Sequence, residues 1–119
     1  MITVLVTAKK LPHLSQAEFT RYWLDEHAPL VKSVPEFMQY VKRYVIYPNL
    51  QDSGPDAPVL GQVPEHHGIG ELRFKNVAAM EAAFLEPRYL ELIRPDEDKF
   101  LDRANCVTFI TEEHVQFGD

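Results

Sequence analysis

Apolar and polar residues alternate at the start of the chain. In "MITVLVTA", Ile2, Val4, Val6 and Ala8 fall on one side and Thr3, Leu5 and Thr7 on the other, the period-two pattern of a strand. "KKLPHL" follows as a turn. A helical pattern then opens on a strong start signal. Ser15 caps it, Glu18 completes a capping box, and Leu14 and Phe19 make a hydrophobic staple. At helical spacing Phe19, Tyr22, Trp23 and His27 share one arc of about 140°. Glu26 falls in that arc too, which is unusual for a purely structural face. Pro29 predicts that the helix ends or kinks there, because proline lacks an N–H and its ring clashes with the preceding turn, at a cost of about 3 kcal/mol. Pro35 closes the segment.

Residues 40 to 48, "YVKRYVIYP", are rich in β-branched and aromatic residues and predict a second strand. Strict alternation puts Val41, Val45 and Tyr47 on one side and Tyr40, Tyr44 and Ile46 on the other. Residues 49 to 66 hold three prolines and two glycines and predict a long irregular loop, of the kind that serves as a lid or is disordered. "HGIGELRF", residues 67 to 74, predicts a third strand with Ile69, Glu71 and Arg73 opposite Leu72 and Phe74. Asn76 caps a second helix, "VAAMEAAFLE", with Val77, Met80 and Phe84 at helical spacing. "PRYLELIRPDEDKFLD" reads as one or two short helical pieces, with Pro87 and Pro95 near their first positions. "CVTFITEEHV" is the last strand, with Val107 and Phe109 opposite Cys106 and Ile110.

Strand, helix, strand, strand, helix, strand is the ferredoxin-like plan: an α+β fold with a four-stranded antiparallel sheet and both helices on one face. The other face needs a cover. Strands two and four are apolar on both sides, whereas an antiparallel sheet with one wet face is polar there. The second face is therefore expected to pack on another copy of the chain, as a two-fold homodimer, closing an α+β barrel.

Length and charge narrow the classes. A chain of 119 residues is expected to be one domain spanning 1–119. The net charge of -6, with acids and bases intermixed and no basic stripe, argues against a nucleic-acid or anionic-membrane partner. The single cysteine, Cys106, excludes an internal disulfide and fits a reducing compartment. There is no N-terminal signal pattern, and no apolar run approaches the roughly 20 residues that span a bilayer. A cytoplasmic location is expected.

Few residues carry candidate chemistry. His27 shares the sheet-facing arc with Trp23 and precedes the helix-breaking Pro29. It fits the wall of a cavity, where a near-neutral imidazole acts as general acid or base, and it equally fits a buried histidine donating to a backbone carbonyl. Tyr40, at the start of strand two, is placed to donate to a developing oxyanion or to fill the core with its hydroxyl at the edge. Glu71 is a weaker candidate, facing Arg73 or Arg43 or an interface. His66 and His67 are adjacent and point opposite ways on a strand, and the five histidines show no HxH or HxxxH pair, so no metal is expected. Cys106 reads as packing. No GxGxxG, P-loop or CxxC is present, and no nucleotide or flavin cofactor is expected.

"FTRYWLDEHAPLVKSVPEFMQYV" resembles the signature of EthD-domain proteins of the dimeric α+β barrel superfamily, through Phe19, Tyr22, Trp23, His27, Ala28, Pro29, Leu30, Val31 and Tyr40. "GIGELRFKNVAAMEAAF" is similar to that family's third strand and second helix, and "DEDKFLD" to its approach to the last strand. The resemblance covers nearly the whole chain outside the 49 to 66 segment. Related members are similar to methylmuconolactone isomerases, polyketide dehydratases and cyclases, and cofactor-free monooxygenases. In the lactone isomerases a helix-one histidine and a tyrosine at the start of strand two line the pocket, and His27 and Tyr40 match those positions. In plant polyketide cyclases a tyrosine in helix two and a histidine after it act. Ala83 and Tyr89 stand there in this chain, so that pair is absent. The axial histidine of haem-degrading relatives is also missing.

The resemblance implies a cofactor-independent enzyme acting on a small hydrophobic cyclic or aromatic ligand, as an isomerase, dehydratase or cyclase in a catabolic setting. His27 and Tyr40 would be catalytic, and Phe19, Tyr22, Trp23, Glu71 and Tyr89 would contact substrate. Two alternatives stay open: a cofactor-free monooxygenase or other oxidoreductase, and a non-enzymatic binder or accessory protein.

Overall fold

The reciprocal cap forms as its residues dictate. The Ser15 hydroxyl accepts from the Glu18 backbone N–H at 3.0 Å, and the Glu18 carboxylate accepts from the Ser15 N–H at 2.9 Å. In the computed structural model, which describes residues 1–50 and 65–119, this cap starts helix α1, Gln16–Tyr22. Leu14 packs on the cluster that contains Phe19, as the staple requires. A wide π-helical turn, Trp23–His27, follows, and the helix continues as α2, Ala28–Lys32. A short α3, Pro35–Met38, leads to the second strand.

The strands are β1, Ile2–Ala8; β2, Val41–Pro48; β3, Gly68–Phe74; and β4, Val107–Glu112. They form one antiparallel sheet in the order β2-β3-β1-β4, the ferredoxin-like arrangement. Asn76 caps α4, Val77–Leu85, accepting from the Ala79 N–H at 2.8 Å. Val77 is exposed, while Met80 and Ala83 carry the buried stripe. A second wide turn, Tyr89–Ile93, leads into α5, Arg94–Glu97, and a 3-10 turn at Arg103–Asn105 precedes β4. The predicted 49 to 66 loop lies, apart from its ends, outside the described residues. Among the described residues no helix is long and apolar enough to cross a membrane.

The alternation read for β1 holds. Ile2, Val4, Val6 and Ala8 join the two apolar clusters beneath the helices. Strand two departs from strict alternation. A bulge between Val41 and Arg43 puts an extra residue, Lys42, into β2, so Val41 and Tyr44 both pack against the helix-side core. Val41 was expected on the opposite side from Tyr44. The face away from the helices carries Glu71, which accepts from Arg43 Nε at 3.1 Å, and an Arg73–Glu113 ion pair. Ile69, Val107 and Phe109 are exposed on the same face, with Phe109 53% accessible.

Gly68 and Gly70 have a specific use. A Cβ on Gly68 would lie 2.6 Å from Cζ3 of Trp23 and 2.8 Å from the Tyr47 carbonyl oxygen. The bare backbone lets the indole lie directly on the sheet and fixes how closely the first helix approaches β3.

Candidate active site

Pro29 does not end its helix. At the wide turn the Ala28 N–H donates to the Trp23 carbonyl, five residues back, and the next residue is Pro29, which has no N–H to place. The ladder is widened at the position where a donor is missing, so the helix runs on to Lys32. The second helical segment repeats the device. The Arg94 N–H donates to the Tyr89 carbonyl, and Pro95 follows. Each turn begins with an aromatic residue, Trp23 or Tyr89, and ends in a residue that lines one shared cavity, His27 or Ile93.

The two helices meet at His27 and Asp96. The imidazole Nδ1 lies 2.8 Å from Asp96 Oδ2, and the two residues are each only 7% exposed. The Tyr22 hydroxyl donates to Asp96 Oδ1 at 2.6 Å, and Lys99 Nζ is 3.6 Å from the same oxygen. Burial works against ionising Asp96, but the hydrogen bonds from Tyr22 and His27 outweigh it and hold the carboxyl below the usual range. Burial also depresses the His27 imidazole below its ordinary value, against the opposing pull of Asp96. Burial, reinforced by the bond to Asp96, pushes the Tyr22 phenol up to about 12.

At neutral pH these directions give a carboxylate, a neutral imidazole and a phenol. An ionised carboxylate only accepts, so His27 carries its proton on Nδ1 and its lone pair on Nε2. Phe100, fully buried, holds the ring from one side at a centroid distance of 4.8 Å.

His27 lines a cavity of about 150 Å³ between helices and sheet. Its wall is mostly apolar, from Val6, Val31, Leu72, Phe84 and Ile93, with Trp23 across one side. The polar groups added to that wall are Tyr44, Tyr89 and Glu97. The Tyr89 hydroxyl donates to Glu97 Oε2 at 2.9 Å, with Oε1 at 3.3 Å. Burial raises the Glu97 carboxyl to about 7, against the lowering effects of Tyr89 and Arg94. Burial and the charge of Glu97 raise the phenols of Tyr44 and Tyr89, so both stay protonated donors. Among the described residues no group of three or more His, Cys, Asp or Glu is gathered to hold a metal ion.

Some of the residues singled out from sequence are thus assembled and some are not. His27, Trp23 and Tyr89 line the cavity. Phe19 lies behind that wall, fully buried, 5.2 Å from Trp23 and 5.6 Å from Phe100 by ring centroids. Tyr22 serves Asp96 instead of forming a wall. Tyr40 precedes β2 and packs beside the core away from the cavity lining, and the strand-two tyrosine on that lining is Tyr44. Glu71 lies on the opposite face of the sheet, where Arg43 occupies it.

His66 and His67 engage separate main-chain partners, Asn105 and Lys10. Cys106 accepts from the Lys9 N–H, and burial raises its thiol. Asp96, Glu97 and Tyr44 were not singled out. Asp96 and His27 are 69 residues apart, and the acids of "RPDED" read as an ordinary helix start. The signal that could have raised Asp96 and Glu97 is Pro95 directly before them, which marks a second interrupted helix like the one at Pro29; Tyr44 carried no such signal.

The EthD domain model matches residues 11–104 of the chain. A "Conidial pigment biosynthesis dehydratase EthD" of Metarhizium robertsii is 28% identical over 125 residues, covering 99% of this chain and 87% of that protein. "Dehydratase aurZ" of Gibberella zeae is 27% identical over 125 residues, covering 99% of this chain and 82% of that protein. The crystal structure of an EthD-like protein from Ralstonia eutropha superposes with a TM-score of 0.67 at 20% identity, over 98% of this chain and 94% of that one, a likeness of fold.

Proposed function

The chain belongs to the EthD domain family, and on that premise we propose that it is a dehydratase-type enzyme acting on a small cyclic β-hydroxy ketone. The observation that carries this reading is a neutral imidazole, oriented by a buried carboxylate, on the wall of an otherwise apolar cavity. His27 Nε2 takes a proton from the carbon between the carbonyl and the hydroxyl-bearing carbon. Tyr44 donates to the enolate oxygen, the role the sequence had suggested for Tyr40. The hydroxyl then leaves as water and a conjugated double bond forms. Asp96 steadies the imidazolium that His27 becomes. The step is redox-neutral: a C–H and a C–O bond break, a C=C bond forms and water leaves, so the side chains in the cavity need only transfer protons, without a cofactor.

The dehydratase names of two relatives spanning nearly the whole chain favour loss of water over the lactone isomerisation, cyclisation or cofactor-free oxygenation that the sequence alone leaves open. A passive binder would have no need of a histidine held by a buried carboxylate. We also place the protein in the cytoplasm, where the free thiol of Cys106 stays reduced, and pair it as a homodimer through the uncovered sheet face.

The test is turnover of β-hydroxycyclohexanone, followed by ultraviolet absorbance of the enone product. General acid–base catalysis contributes about 10²–10⁴-fold, so His27→Ala is expected to lose at least about 100-fold in kcat. A His27→Ala protein with wild-type turnover would remove the proposal.

A further inference from the structure

Loss of water from a β-hydroxy ketone needs an acid as well as a base. Hydroxide is a poor leaving group, and the oxygen must be protonated as the C–O bond breaks. We propose that Glu97 is that acid, giving its proton to the leaving hydroxyl while His27 takes the carbon-bound proton. The inference rests on the dehydratase reading of the same cavity.

Three observations carry it. First, Glu97 and His27 reach one cavity from different helices, α5 and the α1–α2 helix. Second, among the described residues the side chain that hydrogen-bonds Glu97 is the phenol of Tyr89, while the Arg94 cation acts on it through charge and not through a hydrogen bond. A carboxylate kept in an apolar wall for structure alone would be expected to have a cationic hydrogen-bond partner. Tyr89 has one hydroxyl proton to give and approaches Oε2 more closely, which leaves Oε1 as the oxygen free to hold the acid proton. Third, Glu97 stands at a junction. It lines both the cavity that holds His27 and an adjoining, more open cleft of about 460 Å³, and the two spaces share Val6, Tyr89, Glu97 and Leu101. Water formed at Glu97 has a way out that does not pass the base.

Among the described residues, the charged and titratable groups around Glu97 are Arg94 and Asp96 on its own helix, Asp98 at that helix's C-terminal cap, Tyr89 on the turn before it, Tyr44 on β2, and His27 across the cavity. Arg103 and Cys106 line the open cleft beside it. Burial dominates this set and sustains a protonated carboxyl up to about pH 7.

The step balances. The α C–H bond breaks toward His27, and its electron pair becomes the new C=C bond. The C–O bond breaks, its electrons stay on oxygen, and the Glu97 proton completes a water molecule. Imidazolium and carboxylate remain, and exchange of one proton through solvent in the cleft resets both. Nothing is oxidised or reduced.

The experiment measures enone formation from β-hydroxycyclohexanone across pH by wild type, Glu97→Gln and Tyr89→Phe. Wild type is expected to lose activity above about pH 7, as Glu97 ionises. Glu97→Gln should lose about 100-fold or more in kcat, and its residual rate should lack that alkaline limb. Tyr89→Phe removes a bond that lowers the Glu97 pKa, so its alkaline limb should move to higher pH. A purely structural Tyr89 would not move it. A Glu97→Gln protein with wild-type kcat and an unchanged limb overturns the role of Glu97 while leaving the dehydratase reading intact. No turnover by wild type overturns both.

Should Glu97→Gln fail to fold, infrared spectroscopy of the wild type decides. A buried carboxylic C=O band that vanishes near neutral pH supports the acid. Its absence at about pH 5.5, well above the ordinary carboxylate range, overturns it.

Discussion

Asp96 Oδ2 accepts from His27 Nδ1 at 2.8 Å, and this bond joins the two helices that each carry a widened turn before a proline. Asp96 therefore sets both the tautomer of His27 and the cost of charging it. Asp96→Asn removes the negative charge that helps raise the His27 pKa and leaves at most a neutral amide acceptor, so the imidazole should titrate at still lower pH. The imidazolium formed during turnover loses its counter-charge, and kcat should fall about 100-fold or more. Nuclear magnetic resonance titration of the His27 ring alongside the pH–rate profile checks both. An acid limb left in place would show that Asp96 does not govern the base.

The strand-two tyrosines make a paired test. Tyr44 lines the cavity with His27, whereas Tyr40 packs beside the core before β2 begins. Tyr44→Phe keeps the ring and removes the donor. It should lower kcat about 10²–10³-fold, the usual cost of removing one donor to a developing oxyanion. Tyr40→Phe should change turnover less than 2-fold. Steady-state kinetics on both variants separate the two tyrosines, and the reverse ranking would return the oxyanion role to Tyr40.

The physical range of each sequence signal explains which parts of this arrangement can be read in advance. Capping by Ser15 and Glu18, the β1 alternation and the strand order depend on residues a few positions apart, where propensity and pattern act directly. The position of Tyr44 depends on the bulge at Lys42, which alternation cannot register, because an inserted residue leaves two exposed positions in a row that look like ordinary polar spacing. Pro29 was legible as a defect but not as a π turn, since a widened ladder and a broken one have the same missing donor. Asp96 was beyond reach for another reason. Its partners Tyr22 and His27 lie 74 and 69 residues away, and only the packing of two helices on one sheet brings them together.

The cavity carboxyl should also be visible in stability. Glu97 has a folded-state pKa of about 7 against an ordinary 4.5, so the folded protein binds the proton more tightly than the unfolded chain does. The stabilisation is complete below pH 4.5 and is lost as pH rises through about 7. The full difference is worth about 3 kcal/mol. Burial of His27 acts in the opposite direction, lowering stability as pH falls below the ordinary imidazole value. Urea unfolding of wild type and Glu97→Gln at about pH 5 and about pH 8 isolates the carboxyl. Between those pH values wild type should lose more stability than the variant, and parallel curves would show that Glu97 titrates normally.

Gly68 sets how closely the first helix approaches β3. An added methyl would meet Cζ3 of Trp23 at 2.6 Å and the Tyr47 carbonyl oxygen at 2.8 Å, and the second contact is backbone that cannot swing away. Gly68→Ala should destabilise the fold by about 1–3 kcal/mol, the usual cost of overpacking. It should also displace the indole from the cavity wall. Gly70→Ala places its methyl 3.5 Å from the same indole, an ordinary contact, and should cost less than about 1 kcal/mol. Denaturant melts with tryptophan fluorescence read both effects, because Trp23 is the chain's single tryptophan. Equal costs at the two positions would mean that the close approach at Gly68 is not what fixes the helix.

The uncovered face of the sheet gives the last prediction. Val107 is 47% exposed and Phe109 53%, on strand β4, and Ile69 is exposed on the same face while the helices cover only the other one. Phe109 lies opposite Leu5 in the β1–β4 ladder, so an apolar band continues from the edge strand toward the centre of the sheet. Left in water, such a band forgoes about 25 cal/mol for each Å² it could bury, and a second copy presenting the same band is the simplest complementary surface. Phe109→Lys puts a charge from each copy into that apolar band while leaving the helix-side core untouched. Analytical ultracentrifugation should find wild type as a dimer and Phe109→Lys as a folded monomer. A wild type that sediments as a monomer at micromolar concentration would show that this face needs no partner.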